Sequence, residues 1–277
     1  MLHLGPVKLD SPAVMGVLNV TPDSFSDGGR YSTIGVALRH AQQMAEQGAA
    51  IIDVGGESTR PGARAVNEQE ELDRVMPVIE ALRRVVDLPI SIDTSKPGVM
   101  RAAVAAGASI INDVYALQAD GALQAAVELQ KPVCLMHMQR EPRTMQNEPQ
   151  YDDVVAEVTQ FLRERVAQCI QAGIGKGLII VDPGFGFGKS PAHNVELLAG
   201  LSRVTEIGVP VLVGLSRKST LGKITGKDVS QLMPASIAAA VLAVQQGAQI
   251  VRAHDVAETV DALRVAEAVI NTGSFND

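Results

Sequence analysis

Tryptophan is absent from this 277-residue chain and aromatic residues make up only 3% of it. The interior therefore has to be assembled from Val, Ile, Leu, Met and Ala. Cysteine is scarce as well. Cys134 lies in an apolar strand segment and Cys169 on the apolar face of a helical one, which reads as two buried thiols in a reducing compartment and argues against a disulfide scaffold. Basic charge is in deficit, 24 Lys and Arg against 31 Asp and Glu, for a net −7. With no basic run and no interleaving of basic and aromatic residues, that balance argues against a nucleic-acid partner. It leaves an anionic small substrate open, because a local cluster can oppose the global sign. No apolar run approaches the roughly 20 residues a bilayer crossing requires, so no membrane partner is expected. The opening MLHLGPVKLDSP lacks the basic and apolar regions of a signal peptide, and the expectation is a cytoplasmic protein.

What the chain does have is 46% hydrophobic residues and a rhythm. After Leu2 to Asp10, which alternates around Gly5-Pro6 as a short hairpin would, buried-strand candidates follow at Val14 to Val20, Ala50 to Val54, Pro89 to Asp93, Ser109 to Val114, Pro132 to His137, Leu178 to Asp182, Pro210 to Leu215 and Ala248 to His254. Each is followed by a segment with apolar residues at helical spacing: Ile34 to Gly48, Glu68 to Val86, Pro97 to Gly107, Gly121 to Gln130, Asp152 to Gly173, His193 to Val204, Pro234 to Gln246 and Val256 to Ile270. Gly48, Gly107, Gly173 and Gly247 end helices just before the next strand, as short turns between helix and strand require. Eight such units predict an α/β chain folded as a (β/α)8 barrel, with a doubly wound open sheet as the alternative. No linker or low-complexity stretch divides the chain, so residues 1–277 read as one domain.

In such barrels the chemistry gathers at the C-terminal ends of the strands. That layer here reads Asn19, Asp53, Asp93, Asn112 with Asp113, His137, Asp182, Ser216 to Lys218, Arg252 and His254. Taken singly, Asp53 and Asp113 are adequately explained as wet strand ends; the set as a whole is not. Asp93, Asn112 and Asp182 could read the donor–acceptor edge of a flat nitrogen heterocycle, an aspartate accepting from a paired N–H edge. Lys218 and Arg252, with Arg60 and Arg217 in nearby loops, supply cations. The loops after the seventh and eighth strands, where Lys218 and Arg252 fall, are the usual phosphate site of this architecture. Asn19 offers a carbonyl oxygen that suits Mg2+ held partly by substrate phosphates, although a lone Asn at a strand end is more often a hydrogen-bonding fixture. Thr21 to Thr33 and Ser58 to Asn67 read as long polar loops able to close over that face. Several look-alikes fail. Pro183 stands where a Walker A loop needs its first glycine, Lys189 holds the third glycine position of GxGxxG, and the five histidines lack zinc-like spacing.

Eight segments, NVTPDSFSDGG (19–29), DVGGESTRPGA (53–63), DTSKPGV (93–99), IND (111–113), LMHMQ (135–139), DPGFGFGK (182–189), GLSRKS (214–219) and RAHD (252–255), together resemble the bacterial dihydropteroate synthases, nearly end to end and in the family's order. The resemblance implies the sulfonamide-target enzyme of folate synthesis. That enzyme joins 6-hydroxymethyl-7,8-dihydropterin diphosphate to the amine of p-aminobenzoate, releasing diphosphate and forming 7,8-dihydropteroate. It further implies a pterin ring held by Asp93, Asn112, Asp182 and Lys218 between Met136 and Phe187. It implies a diphosphate bound by Asn19, Arg252 and His254 with Mg2+ at Asn19, and p-aminobenzoate met by Phe25, Thr59, Arg60, Pro61 and Ser216 with Lys218 shared. Asp93, Asp182 and Lys218 would carry the catalysis, and a homodimer is implied. No catalytic nucleophile is evident; electrostatic binding and positioning would suffice.

Three departures from the family's usual pattern stand out: Tyr115 after IND, Pro234-Ala235-Ser236 in place of a Gly-Ser pair, and RAHD in place of RVHD. Two other readings stay open, a pterin-binding methyltransferase barrel and a non-catalytic pterin-binding paralogue. The first should lack the STRPGA and SRKS segments, and the second should have lost a charge at a strand end.

Overall fold

Aliphatic runs without charge have no wet face to offer, so they fold as strands covered on both sides, and the amphipathic segments between them lie over the outside. The computed structural model describes residues 1–10, 12–21, 30–58, 64–140, 145 and 148–271, with backbone alone for 30–33. An antiparallel hairpin, β1 (Leu2–Leu4) and β2 (Val7–Leu9), comes first. The barrel strands are β3 (Ala13–Asn19), β4 (Ile51–Gly55), β5 (Ile90–Asp93), β6 (Ile110–Asp113), β7 (Val133–Met136), β8 (Ile179–Asp182), β9 (Leu212–Val213) and β10 (Ile250–Ala253). The helices are α1 (Arg30–Glu46), α2 (Glu68–Leu82), α3 (Pro97–Ala105), α4 (Ala122–Leu129), α5 (Val154–Gln171), α6 (Pro191–Ala199), α7 (Leu201–Thr205), α8 (Ser219–Thr225), α9 (Met233–Gln245) and α10 (Val256–Ile270).

The eight strands pair in parallel in the order β8-β7-β6-β5-β4-β3-β10-β9. A parallel bridge from Val181 to Val211 then joins the two ends. That bridge makes the sheet a (β/α)8 barrel rather than an open sheet.

Side chains alternate across each strand, and two cores result. Val14, Leu18, Ile52, Val54, Ile92, Ile111, Leu135, Val181 and Val251 face outward and pack under the helices. Met15, Ile51, Ile110, Cys134, Ile180, Leu212 and Ile250 face inward with Leu4, Val7 and Leu9 of the hairpin. The hairpin thus plugs the end of the barrel where the strands begin. Gly48, Gly107, Gly173 and Gly247 all take φ near +100° (93°, 112°, 107°, 98°), the left-handed turn at a helix end that a side chain would strain.

Several boundaries differ from the sequence expectation. Residues 30–33, read as loop, begin α1. The helix expected over His193 to Val204 is two, broken at Gly200, where a Cβ would lie 2.9 Å from Val155. β9 has only two residues, Leu212–Val213, instead of the six expected, and α8 follows it where no helix was expected.

Candidate functional site

Moving two residues along four of these strands replaces an inward aliphatic side chain by an inward polar one. Ile51 is followed by Asp53, Ile110 by Asn112, Ile180 by Asp182 and Ile250 by Arg252. These side chains meet inside the barrel mouth. Asp53 Oδ2 accepts from Arg252 Nε at 2.7 Å and from Asn112 Nδ2 at 3.2 Å, and Arg252 Nη2 donates to Asp93 Oδ2 at 3.1 Å. Asp53 Oδ1 is buried without a hydrogen bond in this structure, a carboxylate oxygen left for water or a ligand. Asp53 was read from sequence as a wet strand end; it is instead fully buried and holds Arg252 and Asn112 in register.

Burial sets the electrostatics of this mouth. Loss of water, then the charge of Asp53, pushes Asp93 up to about 7, against the opposing pull of Arg252. Asp182 is pushed up to about 6 by burial, held back by the Gly184 N–H and by Lys218, Lys189 and Arg252. For Arg252, burial opposes the charge, but Asp53 and Asp93 outweigh it and raise its pKa. Asp182 feels the charges of both Lys218 and Arg252, so both cations lie near it.

Lys218 is the residue before α8, and its Nζ sits 4.2 Å from the centre of the Phe187 ring. Phe187 is half-buried, whereas Phe185, two residues earlier, is buried among the outer aliphatic residues. The glycines between them make that split possible. Gly184, Gly186 and Gly188 all have positive φ (69°, 80°, 60°), and a Cβ on Gly184 would lie 1.9 Å from the His137 carbonyl oxygen. Met136 is buried beside Asp182, its register partner on β8.

On the β9–β10 side, Ser216 Oγ meets both the backbone N–H of His254 at 3.2 Å and its Nδ1 at 3.0 Å. Arg217, in the left-handed region at φ 57°, grips Asp255 through Nε at 3.1 Å and Nη2 at 2.6 Å, and its N–H donates to Ser236 Oγ at 2.9 Å. That clasp fixes the residues on either side of Arg217, Ser216 and Lys218. Ala235, one of the departures from the family pattern, leaves this Ser236 hydroxyl in place. Ala253 of RAHD points away from the mouth into the outer core.

Two strand-end residues face elsewhere. Asp113 points outward, accepting from Ser95 Oγ and from the N–H groups of Tyr115 at 2.8 Å and Leu117 at 2.9 Å. It holds the turn in which Ala116 and Leu117 have positive φ, and Tyr115 contributes its backbone N–H to that turn. His137 turns under the β8 loop onto Lys189. Phe25, Thr59, Arg60 and Pro61 lie outside the described residues. Asn19 ends β3 on the inward face, opposite Gly55, and its Oδ1 and Asp93 Oδ2 line the space a Gly55 side chain would fill, 3.6 and 3.7 Å from that Cβ position. Among the described residues no three His, Cys, Asp or Glu side chains cluster as a metal site, so a metal at Asn19 would need most of its oxygens from substrate and water. That is the habit of Mg2+ in diphosphate sites.

A barrel with this ring of acids, amide and bases at its mouth is the architecture of the family described as pterin binding enzyme, which matches residues 15–254, and the chain belongs to that family. The dihydropteroate synthase of Escherichia coli K12 is 54% identical to it over 96% of this chain and 94% of that protein. The dihydropteroate synthase of Yersinia pestis in complex with a sulfonamide drug superposes with a TM-score of 0.92, at 51% identity over 97% of this chain and 99% of that one. That of Xanthomonas albilineans in complex with 7,8-dihydropteroate gives 0.87, at 54% identity over 95% of each. Within the pterin binding enzymes, the chain belongs with the dihydropteroate synthases, transferases of folate biosynthesis.

Proposed function

We propose that the barrel mouth condenses 6-hydroxymethyl-7,8-dihydropterin diphosphate with p-aminobenzoate, and that the strand-end acids hold the pterin while the bases receive the diphosphate. The carrying observation is the convergence of Asp53, Asp93, Asn112, Asp182 and Arg252 at the C-terminal ends of neighbouring barrel strands, with Lys218 over Phe187 beside them. The pterin presents adjacent N–H donors, and a carboxylate accepting a pair of them makes a strong, oriented contact. Asp182 takes that edge, Asn112 reads the neighbouring polar atoms, and Met136 and Phe187 flank the ring. Lys218 donates to the ring's acceptor side.

As the bond to diphosphate breaks, positive charge develops on the exocyclic methylene and ring. Asp93 and Asp182, held in a dry pocket, stabilise it better than water could, because they need not reorient. Arg252, His254 and Asn19 receive the departing diphosphate. Mg2+ at Asn19 would neutralise phosphate charge. The amine of p-aminobenzoate, guided by Ser216, Lys218, Phe25, Thr59, Arg60 and Pro61, then attacks the methylene and loses its proton. Effective concentration, rather than a nucleophilic side chain, supplies the rest of the acceleration.

A homodimer and a cytoplasmic location complete the proposal. Leu242 on α9 and Val265 and Val269 on α10 expose apolar side chains on two adjacent helices, a surface suited to a second copy. Sedimentation of the intact chain tests it. No helix among the described residues is long and apolar enough to cross a membrane.

The deciding experiment mixes the protein with the pterin diphosphate and labelled p-aminobenzoate, with Mg2+ or with chelator. Labelled dihydropteroate that forms only with Mg2+ supports the whole reading. No product would sink it, and undiminished product in chelator would remove the metal.

A further inference from the structure

Lys189 is a buried lysine that the proposed chemistry does not use, 2% exposed and directly beneath the loop that carries Phe187. Its Nζ lies 2.9 Å from the Gly184 carbonyl, 3.0 Å from the Phe187 carbonyl and 2.9 Å from Nδ1 of His137. An ammonium has three donors and no acceptor; these three acceptors can take all of them, with the His137 carbonyl oxygen a longer 3.5 Å away. With Lys189 charged, His137 accepts at Nδ1 and carries its proton on Nε2. Its surroundings agree: burial, then the nearby Lys189 charge, hold its pKa down to about 2, so the ring is neutral. The Phe161 ring meets it edge-on at 4.9 Å and fixes its plane.

The loop is pinned from its other side too. Tyr151 Oη donates to the Gly188 carbonyl at 2.8 Å, and Asn194 Oδ1 accepts from Gly186 N at 2.7 Å. Gly188 lies against the chain after β7, where a Cβ would come within 2.5 Å of the Gln139 carbonyl oxygen. A glycine-rich segment has many conformations available; here every polar tie selects one. From this geometry we infer that Lys189 is a positioning residue for the synthase reaction, a three-way tie between the ends of β7 and β8 that sets where Asp182 and Phe187 face the pterin.

The inference rests on the proposed pterin site. Lys189 reaches that site through two routes. It fixes Gly184, whose N–H donates to Asp182 Oδ1 at 2.7 Å, and so fixes the rotation of that carboxylate. It also fixes Phe187, whose ring seats Lys218. A buried ammonium is expensive, and burial lowers this one to about 7. A methionine would fill similar volume without that cost but would leave the Gly184 and Phe187 carbonyls unpaired and the loop untied.

The test is steady-state kinetics of the full chain with each substrate varied in turn, alongside thermal unfolding. Lys189→Met is expected to raise KM for the pterin diphosphate and lower kcat, together costing about 10- to 100-fold, with KM for p-aminobenzoate, which shares only Lys218, moving less than that for the pterin. A pterin KM equal to wild type, or a loss of activity that merely follows the folded fraction, overturns the inference. If Lys189→Met does not fold, His137→Leu removes one of the three acceptors and is expected to raise the same KM by a smaller factor; no change there also overturns it. Asp182→Asn is measured beside them. A loss of pterin affinity in Asp182→Asn without one in Lys189→Met sinks only the tie, whereas normal pterin affinity in Asp182→Asn sinks the pterin site and the tie with it.

Discussion

The two halves of the barrel interior are built from the same strands and are opposite in character. Toward the strand beginnings, Met15, Ile51, Ile110, Cys134, Ile180, Leu212 and Ile250 meet the hairpin residues Leu4, Val7 and Leu9 in a dry aliphatic plug. One pleat further along, Asp53, Asn112, Asp182 and Arg252 replace aliphatic side chains with polar ones. Cys134, in the plug, has its thiol pKa raised well above the usual range by burial and then by Asp182, Asp53 and Asp93, so the charged layer lies directly above it. The lower half supplies stability and the upper half spends some of it. These carboxylates, pushed up to about 6 and 7, are held ionised at neutral pH by nearby cations and, in the proposed complex, by ring N–H groups.

That contrast can be broken most severely at Asp182. Asp182→Asn keeps an oxygen for the Gly184 N–H but turns an acceptor into a donor toward the pterin. Turnover is expected to fall by at least about 1,000-fold, in the range seen when a preorganised electrostatic group is removed. Its Tm should hold or rise. A carboxyl whose folded pKa is raised above its unfolded value of about 4 loses stability as pH climbs through that window, and the amide has no charge to desolvate. A marked drop in Tm would show the carboxylate to be structural.

Ile180, two residues earlier and also inward, should behave in the opposite way. Ile180→Ala is expected to cost about 2–5 kcal/mol in urea unfolding by cavity formation, with the KM values of the folded enzyme unchanged. A changed pterin KM would mean that the two layers are not separable.

The Arg217–Asp255 clasp sharpens the comparison at the rim. The Arg217 side chain is 42% exposed, so its ion pair should add little stability. Arg217→Ala and Asp255→Ala are each expected to lower kcat/KM by about tenfold, and the double variant should be no worse than either, since both remove one interaction. Additive losses would mean that the two residues act separately.

The contrast can also be read through pH. Burial pushes Asp182 up to about 6 and Asp93 up to about 7, and the proposed pterin complex favours both as carboxylates. Binding therefore releases protons, and pterin affinity should rise with pH through that window, by up to about tenfold per unit between 6 and 7 and up to about a hundredfold per unit below 6, where both acids are protonated. Calorimetry from pH 5 to 8 checks this; a flat profile would contradict the inward, dry placement of the two acids.

Much of this was legible without coordinates. The apolar runs ending in Asp93, Asn112 and Asp182 carry both the strand and its polar tip, because a strand's alternation places residues two apart on one face. The glycines at helix ends and the Gly5-Pro6 hairpin were readable for similarly local reasons. Asp53 was not, since an Asp at a strand end looks the same whether it meets water or a distant arginine. Its partner Arg252 lies 199 residues away. Asp113, read like Asp53 as a wet strand end, is fully buried and points outward to hold a turn, and His137 turns under a loop; neither the register nor the loop path that decides this is a local property. Lys189 registered as the end of DPGFGFGK and as a residue spoiling a glycine motif, with no role of its own, because its partners are backbone carbonyls and a histidine 52 residues away, which no sequence pattern displays.

The sequence by itself determined the alternation of strands and helices, the gathering of polar residues at one end of each strand, and the family. It did so because those properties depend on neighbours within one or two turns of chain. Closure at Val181 and Val211, the plug beneath the mouth, and the pairing of each buried charge were decided only in three dimensions. An ion removed from water takes its energy from whichever group the fold brings within reach.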